Sequence, residues 1–249
     1  MDQLRIDGSK FRGWEIYSRE TIKAPIIVRM DGRGFHRVAD ECGMERPFDE
    51  RFHKSMIETA KALMMEAGFN ISIAHTASDE ISLLFLRDPH VPFNGRIEKI
   101  LSILPSYASS FLQNCLRRHF SYEKPISFDA RIVKVNDRRE ILEYFRWRCL
   151  NAFRNFLNAY ANEIIGREET FRMKGHEAVR ELCMRGFDIR DTPKWQRYGT
   201  LIYWRYTEIE GYNPIAQRRV RVKRRRIHAS SLDLTVSDGI SLLKNLLSP

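Results

Sequence analysis

Two short acidic segments carry the side chains best placed for chemistry. Asp31 follows the apolar run at residues 25–30, and Ser78-Asp79-Glu80 lies between the strand-like runs at residues 70–74 and 81–86. If these runs are neighbouring strands, Asp31 leaves the end of one while Asp79 and Glu80 sit at the turn joining the other two, so the acids converge. Magnesium is a hard cation that takes oxygen ligands and is usually held by one or two carboxylates together with substrate phosphates. Two such ions about 3.5–4 Å apart activate an attacking oxygen and steady the leaving one in phosphoryl transfer. Asp31 and Asp79 are therefore the candidate metal ligands, and Glu80 completes the candidate catalytic acids. Taken singly, each segment has a local explanation, because Asp-Gly is a favoured turn dipeptide and hairpin tips collect acids. Gly32 and Gly34 flank Arg33, so the backbone can turn sharply and its N–H groups can cradle a triphosphate, with Arg33 and Arg37 nearby. His36 could contact a nucleotide or move a proton, although an isolated histidine is more often structural.

The elements that must position these groups follow from periodicity. A strand at residues 25–30 leads into a loop opened by Asp31-Gly32, then a helix over residues 49–67 that Asp49 caps and Gly68 ends. Within that helix Phe52, Met56, Ala60, Leu63, Met64 and Ala67 form one apolar stripe, which is core. After the two strands at 70–74 and 81–86, a helix from Arg96, kinked or broken at Pro105, resumes to His119, and a strand follows at 127–135. This order predicts a ferredoxin-like α/β (α+β) unit, an antiparallel sheet backed by helices on one face. Beyond it come helices at 140–165 and 176–185 and strands at 200–206 and 218–226. A boundary near residue 137 separates a catalytic core, residues 1–136, from a helical and basic part, residues 137–249, packed on it.

The formal net charge is +10, and Arg218, Arg219, Arg221, Lys223, Arg224, Arg225 and Arg226 fall within nine consecutive positions; +10 less these seven leaves +3. Such a concentrated positive field attracts polyanions, each neutralised phosphate releasing counterion and steepening the salt dependence. Nucleic acid is the expected partner, and a solvated charge run or targeting patch is the plain alternative. Cys42, Cys115, Cys149 and Cys183 lie far apart and form no C-x-x-C pair, so neither a zinc ribbon nor a disulfide framework is suggested, and a reducing cytoplasm fits best. No signal pattern opens the chain at Met1 and no run approaches the roughly 20 apolar residues of a membrane span, so a soluble protein is expected.

On the helix at 140–165, Arg148, Asn151, Asn155, Asn158 and Asn162 recur at spacings of three and four and share one face. Trp147, Leu150, Phe153, Leu157 and Tyr160 are expected on the packing side. A merely solvated face would favour Glu, Lys or Gln. An amide stripe suggests hydrogen bonding to RNA or a polar network at a subunit contact, with equal weight.

Arg29-Met30-Asp31-Gly32-Arg33-Gly34-Phe35-His36-Arg37 and Ser78-Asp79-Glu80-Ile81-Ser82 resemble the two signature segments of tRNA-histidine guanylyltransferases and their relatives. Tyr107–Phe111, Phe128–Arg131, Phe145–Arg148 and Tyr198–Thr200 also resemble blocks of that family, so the likeness covers roughly residues 20–205. The resemblance implies a domain like the palm of polymerases and nucleotidyl cyclases, assembled as a homotetramer. It implies that Asp31, Asp79 and the Gly32 carbonyl hold two magnesium ions, and that Gly32, Arg33, Gly34, Phe35, His36 and Ser78 meet the nucleotide, with N–H groups of the Gly34–His36 stretch as the triphosphate cradle. Similar proteins activate a 5′-monophosphorylated RNA with ATP or GTP and then let an incoming nucleotide's 3′-hydroxyl attack the activated phosphate. Arg148, Arg154, Asn155 and the basic run are assigned to RNA. One departure stands out: where guanylyltransferases proper carry His-Ile-Asn-Asn, this chain has Phe153-Arg154-Asn155-Phe156. That is similar to the guanylyltransferase-like branch, which repairs truncated tRNA 5′ ends against the opposite acceptor strand as template. The expected function is template-dependent 3′-to-5′ addition to the 5′ end of tRNA from nucleoside triphosphates. Strict guanylyl transfer to tRNA-histidine, a nucleotidyl cyclase and a non-catalytic RNA-binding module are the alternatives.

Overall fold

Apolar residues placed without alternation on the first strand require cover on both of its sides, and this determines the architecture. The computed structural model describes residues 7–171, 173–213 and 217–248; the first six residues, read above for a leader, lie outside that set. In chain order the elements are α1 (Ser9–Arg12), β1 (Ile26–Gly32), α2 (Phe35–Glu41), α3 (Glu50–Met65), β2 (Ile73–Ala77), β3 (Glu80–Phe85), α4 (Ile97–Phe120), β4 (Phe128–Lys134), α5 (Arg138–Ile164), α6 (Arg167–Thr170), α7 (Gly175–Met184), α8 (Lys194–Tyr198), β5 (Thr200–Asn213), β6 (Arg218–Ser230) and α9 (Ser237–Leu247). The strands form one antiparallel sheet in the order β4-β1-β3-β2-β5-β6. The first four strands have the order of a ferredoxin-like unit, as expected, and β5 and β6 extend it.

Ile26, Val28 and Met30 of β1 point to one side, where they pack with Met56 and Leu63 of α3 and Leu104 and Leu112 of α4. Ile27 points to the other, joining Ile73, Leu84 and Leu201 beneath Ile141 and Phe145 of α5 and Leu243 of α9. Helices therefore cover both faces, not one. The helix α9 was not anticipated, although Leu243 and Leu247 are four residues apart and buried. Gly239 within it lies so close to the preceding loop that an added Cβ would sit 2.1 Å from the Asp233 carbonyl oxygen.

Pro105 does not break its helix: α4 runs through it for 24 residues. Buried packing of Leu104, Ala108 and Leu112 against the sheet outweighs the single missing N–H, and the Ser109 hydroxyl donates to the Pro105 carbonyl at 2.7 Å. Strand β2 begins three residues later than its apolar pattern indicated. His75 and Thr76, which look polar in sequence, are interior strand residues: the Thr76 hydroxyl donates to the Glu80 carbonyl at 2.9 Å, and the His75 Nε2 meets the Tyr198 carbonyl at 2.9 Å while its buried Nδ1 has no partner among the described residues. On α5 the packing side is Tyr144, Phe145, Cys149, Ala152, Phe156 and Leu157, with Phe153 and Tyr160 half-buried; of the residues expected there, Leu157 is buried, whereas Trp147 and Leu150 are exposed. No described helix is long and apolar enough to cross a membrane.

Strand β5 pairs with β2 only over Thr200–Tyr203; from Trp204 onward it pairs with β6 alone, out to Asn213 opposite Arg218. The ten residues past Tyr203 make a two-stranded ribbon extending about 34 Å at the usual strand rise. Because Thr76 at the Asp79 end of β2 lies opposite Thr200, the ribbon leaves the sheet at the end remote from the acids.

Candidate active site

Strand register delivers the acids. Asp31, near the end of β1, lies opposite Glu80 on β3 and Asp129 on β4. Ser78 turns the β2–β3 hairpin with a left-handed φ of 54°, leaving Asp79 at the tip, and the Gly32 N–H donates to the Asp79 carbonyl at 3.1 Å. Asp31 and Asp79, 48 positions apart in sequence, thus line the same cleft. Burial pushes the Asp79 carboxyl above the usual carboxylate range, and the neighbouring Asp31 charge pushes it further; the Ser78 hydroxyl, donating at 3.1 Å, opposes the rise. Two acids in a poorly solvated cleft repel, and a divalent cation between them relieves that cost. The donors are oxygens, which suits magnesium; no cluster of three or more metal-ligating side chains exists among the described residues, so waters and substrate phosphates would complete the shell.

Glu80 is placed differently. Both of its oxygens are engaged by Arg148 of α5, at 2.8 Å from Nε and by Nη2, while Arg29 stands 3.9 Å away. Burial raises its pKa and the two guanidiniums oppose that rise. Arg148, expected as an RNA contact, is itself buried and its fork is occupied by Glu80, so it fastens α5 to the catalytic end of β3. Ser82 and Tyr144 add a second tie between the same elements, 2.9 Å apart at their hydroxyls.

The loop predicted after Asp31-Gly32 proves to be a short helix, α2. Gly34, at φ 70°, turns the chain into it, and no side chain caps its first turn, so the N–H groups of Phe35 and His36 are open donors suited to phosphate oxygens. The Phe35 side chain is core: its ring packs on Phe52 and Phe128, and a Cβ at Gly32 would lie 2.4 Å from it. Phe35 lines the cleft, and with its ring packed on these neighbours its backbone N–H is the polar group it has to offer there. The Arg33 N–H is already donated to the Ser127 carbonyl at 2.9 Å, and the Arg33 and Arg37 side chains are exposed outside the cleft lining. His36 and Ser78 line the cleft.

The cleft has a volume of about 720 Å³ and continues from the acids along α5, where Asn151, Asn155, Asn158 and Asn162 all line it. Sequence reading missed its other side, Arg46, Phe48, His53, Trp195 and Gln196. The sole signal there was Asp49, whose carboxylate caps α3 and so fixes where the helix bearing His53 starts and where Phe48 just before it enters. His53 stacks on Trp195 at 4.3 Å and meets the Thr200 hydroxyl at 3.1 Å. Arg154 is exposed and outside the cleft lining. The seven basic residues from Arg218 to Arg226 lie on the ribbon strand β6, with Arg225 over the Trp204 ring at 4.3 Å.

Burial lowers His53 and His75 from 6.5 to about 4, His75 despite its bond to Tyr198. Both rings are therefore neutral in the folded state, and their contribution is complete above the unfolded value and lost as pH falls from 6.5 toward 4. At pH 5 each ring removes up to about 2 kcal/mol, at 1.36 kcal/mol per unit. The unfolding free energy from urea titration should drop between pH 7 and pH 5, and a flat profile would contradict the burial of the two rings.

Comparison with known proteins gives the arrangement a lineage. The family profile described as tRNAHis guanylyltransferase matches residues 8–136. The tRNA(His) guanylyltransferase of Saccharomyces cerevisiae is 30% identical over 211 residues, which cover 77% of this chain and 87% of that protein. A probable tRNA(His) guanylyltransferase of Mus musculus is 26% identical over 74% of this chain, and the chain spans 65% of its length. The solved structure of a bacterial tRNA(His) guanylyltransferase-like protein in complex with ATP shares the fold, with a TM-score of 0.78 and 22% identity, over 97% of this chain and 98% of that one. With one acid at the end of the first strand and another at the hairpin tip before the third, and with sequence likeness through the whole ferredoxin-like unit, this chain belongs to the tRNAHis guanylyltransferase family of nucleotidyltransferases.

Proposed function

We propose that this chain adds nucleotides to the 5′ end of tRNA in the 3′-to-5′ direction, with the opposite acceptor strand as template. The observation that carries the reading is the convergence of Asp31 and Asp79 at one end of a cleft whose adjoining helix start leaves N–H donors open. Asp31, Asp79 and the Gly32 carbonyl would hold magnesium, which supplies charge neutralisation at the phosphates and a lowered pKa for an attacking hydroxyl. The chain's own residues do the rest: Phe35 and His36 N–H groups hold phosphate oxygens, and Arg148 keeps Glu80 from competing for the cation.

Template-directed repair is favoured over strict guanylyl transfer by Phe153. At the position of the family's histidine, this ring stacks on Phe156 and Tyr198 at 5.9 and 5.8 Å, so a packed phenyl replaces an imidazole. Primer extension on a tRNA lacking its 5′ nucleotide, with magnesium and all four triphosphates, tests the reading. Addition of the Watson–Crick complement of each template base is the expected product; guanosine added opposite a non-cytosine base would favour strict guanylyl transfer, and no elongation by folded protein would sink the proposal.

The basic ribbon would hold the RNA body by its phosphates. Replacing Arg224, Arg225 and Arg226 together by Ala should weaken tRNA binding and reduce the slope of log affinity against log salt by about 2–3 units, at roughly 0.7–0.9 per phosphate contact, with ATP binding unchanged. Binding titrations at several salt concentrations check this, and an unaltered slope contradicts it.

A further inference from the structure

The cleft is longer than its acids require. From Arg148 to Asn162 the lining face of α5 runs about 21 Å at the helical rise, the reach of roughly four nucleotides of single strand. Along it the amides of Asn151, Asn155, Asn158 and Asn162 alternate with Ala152 and Ala159, which keep the wall low between them. Of the four, among the described residues, only Asn162 uses its side chain internally, accepting from the Thr170 hydroxyl at 2.6 Å. The remainder of the lining includes the part-buried rings of Phe48 and Trp195. Charge is sparse at this outer end, where Arg167 and Glu163 offset one another. A wall of neutral amides suits base edges and ribose hydroxyls better than phosphates, because each amide both donates and accepts. Aromatic rings in the same cleft suit base faces, which stack on them without regard to sequence.

We propose that this amide-and-aromatic groove holds the unpaired 3′ end of the RNA whose 5′ end lies at Asp31 and Asp79. The assignment rests on the RNA-end reading above and names the part of the substrate that the outer cleft takes. Continuity selects the occupant: beside a 5′ end in an acceptor stem, the unpaired strand is the piece of substrate that continues past the reacting phosphate, and the cleft continues from the acids along the same course.

The test compares two RNA hairpins with the same recessed 5′ end, one bearing four unpaired 3′ nucleotides and one without them, in equilibrium binding without turnover. Wild-type protein should bind the overhang RNA about tenfold more tightly, the scale of one stacked base. The Asn155→Ala/Asn158→Ala variant, altered at exposed positions, should lose that preference while binding the blunt hairpin as wild type does, a non-additive pattern. Equal weakening of both hairpins overturns the proposal, as does reduced ATP affinity, which would give the groove to the nucleotide. A fall in oligomeric size of the variant in sedimentation, with overhang preference intact, also overturns it, since the face would then cover a second copy. Nucleotide addition is scored separately: failure of addition with the non-additive pattern intact overturns the reaction and leaves the groove standing.

Discussion

Asp79→Asn should reduce 5′-nucleotide addition by a thousandfold or more, about 4 kcal/mol of barrier, while making the metal-free fold more stable. The first effect follows from removing one of the two carboxylates proposed to hold the cation, since no third metal-ligating side chain joins them in a cluster among the described residues. The second follows from the direction of the Asp79 shift. Burial and the Asp31 charge raise its folded pKa, so the folded state favours the protonated form. Above the raised folded value the ionised group therefore works against folding in full; this cost fades as pH falls through that folded value and is gone below the unfolded value of 3.8. Asparagine cannot ionise, so it removes the cost at neutral pH. Thermal unfolding with and without magnesium separates the two effects: the variant should unfold higher than wild type in metal-free buffer and gain nothing from added magnesium. A lower metal-free midpoint would mean that the carboxylate serves the fold and not a cation.

Arg148→Met should cost about 3–5 kcal/mol of stability, because it leaves Glu80 buried without its partner. The Glu80→Gln/Arg148→Met double variant should recover most of that loss, since a neutral amide in the same pocket carries no uncompensated charge. Urea titration of wild type, Glu80→Gln, Arg148→Met and the double variant closes the cycle. Activity should stay low in the double variant despite the restored fold, because the pair aligns α5 and its amides with the acids. A double variant as unstable as Arg148→Met alone would show that packing of the arginine stem, not charge, ties α5 to β3.

How far these features could be read from residue order depends on the range of the interaction behind them. Strands β1, β3 and β4, the Asp49-capped α3 and the convergence of Asp31 with Asp79 were visible because periodicity and turn chemistry are local. Helix α2 was hidden: seven residues carry little periodicity, and Gly32-Arg33-Gly34 reads as a loop unless Phe35 is known to fold back over Gly32. The continuity of α4 through Pro105 was hidden too, since a local rule about proline yields to burial against the sheet. Arg148 was misread for a different reason. Its type suits a phosphate as well as a carboxylate, and its partner Glu80 lies 68 residues away, so no window of sequence contains the choice. The amides of α5 were visible as a stripe, but the ring-bearing side of their cleft comes from Phe48 and Trp195, which are brought together only by the fold.

The ribbon also decides how the sheet ends. Among the described residues strand β6 is the outermost strand, and its thirteen-residue edge, unpaired there, would ordinarily recruit a matching edge from another molecule. Here an approaching copy meets seven like charges, so self-templating is opposed for as long as those charges stay unneutralised. High salt or a stoichiometric polyanion lifts that guard, which makes ionic strength a determinant of colloidal behaviour for this molecule as well as of its affinity.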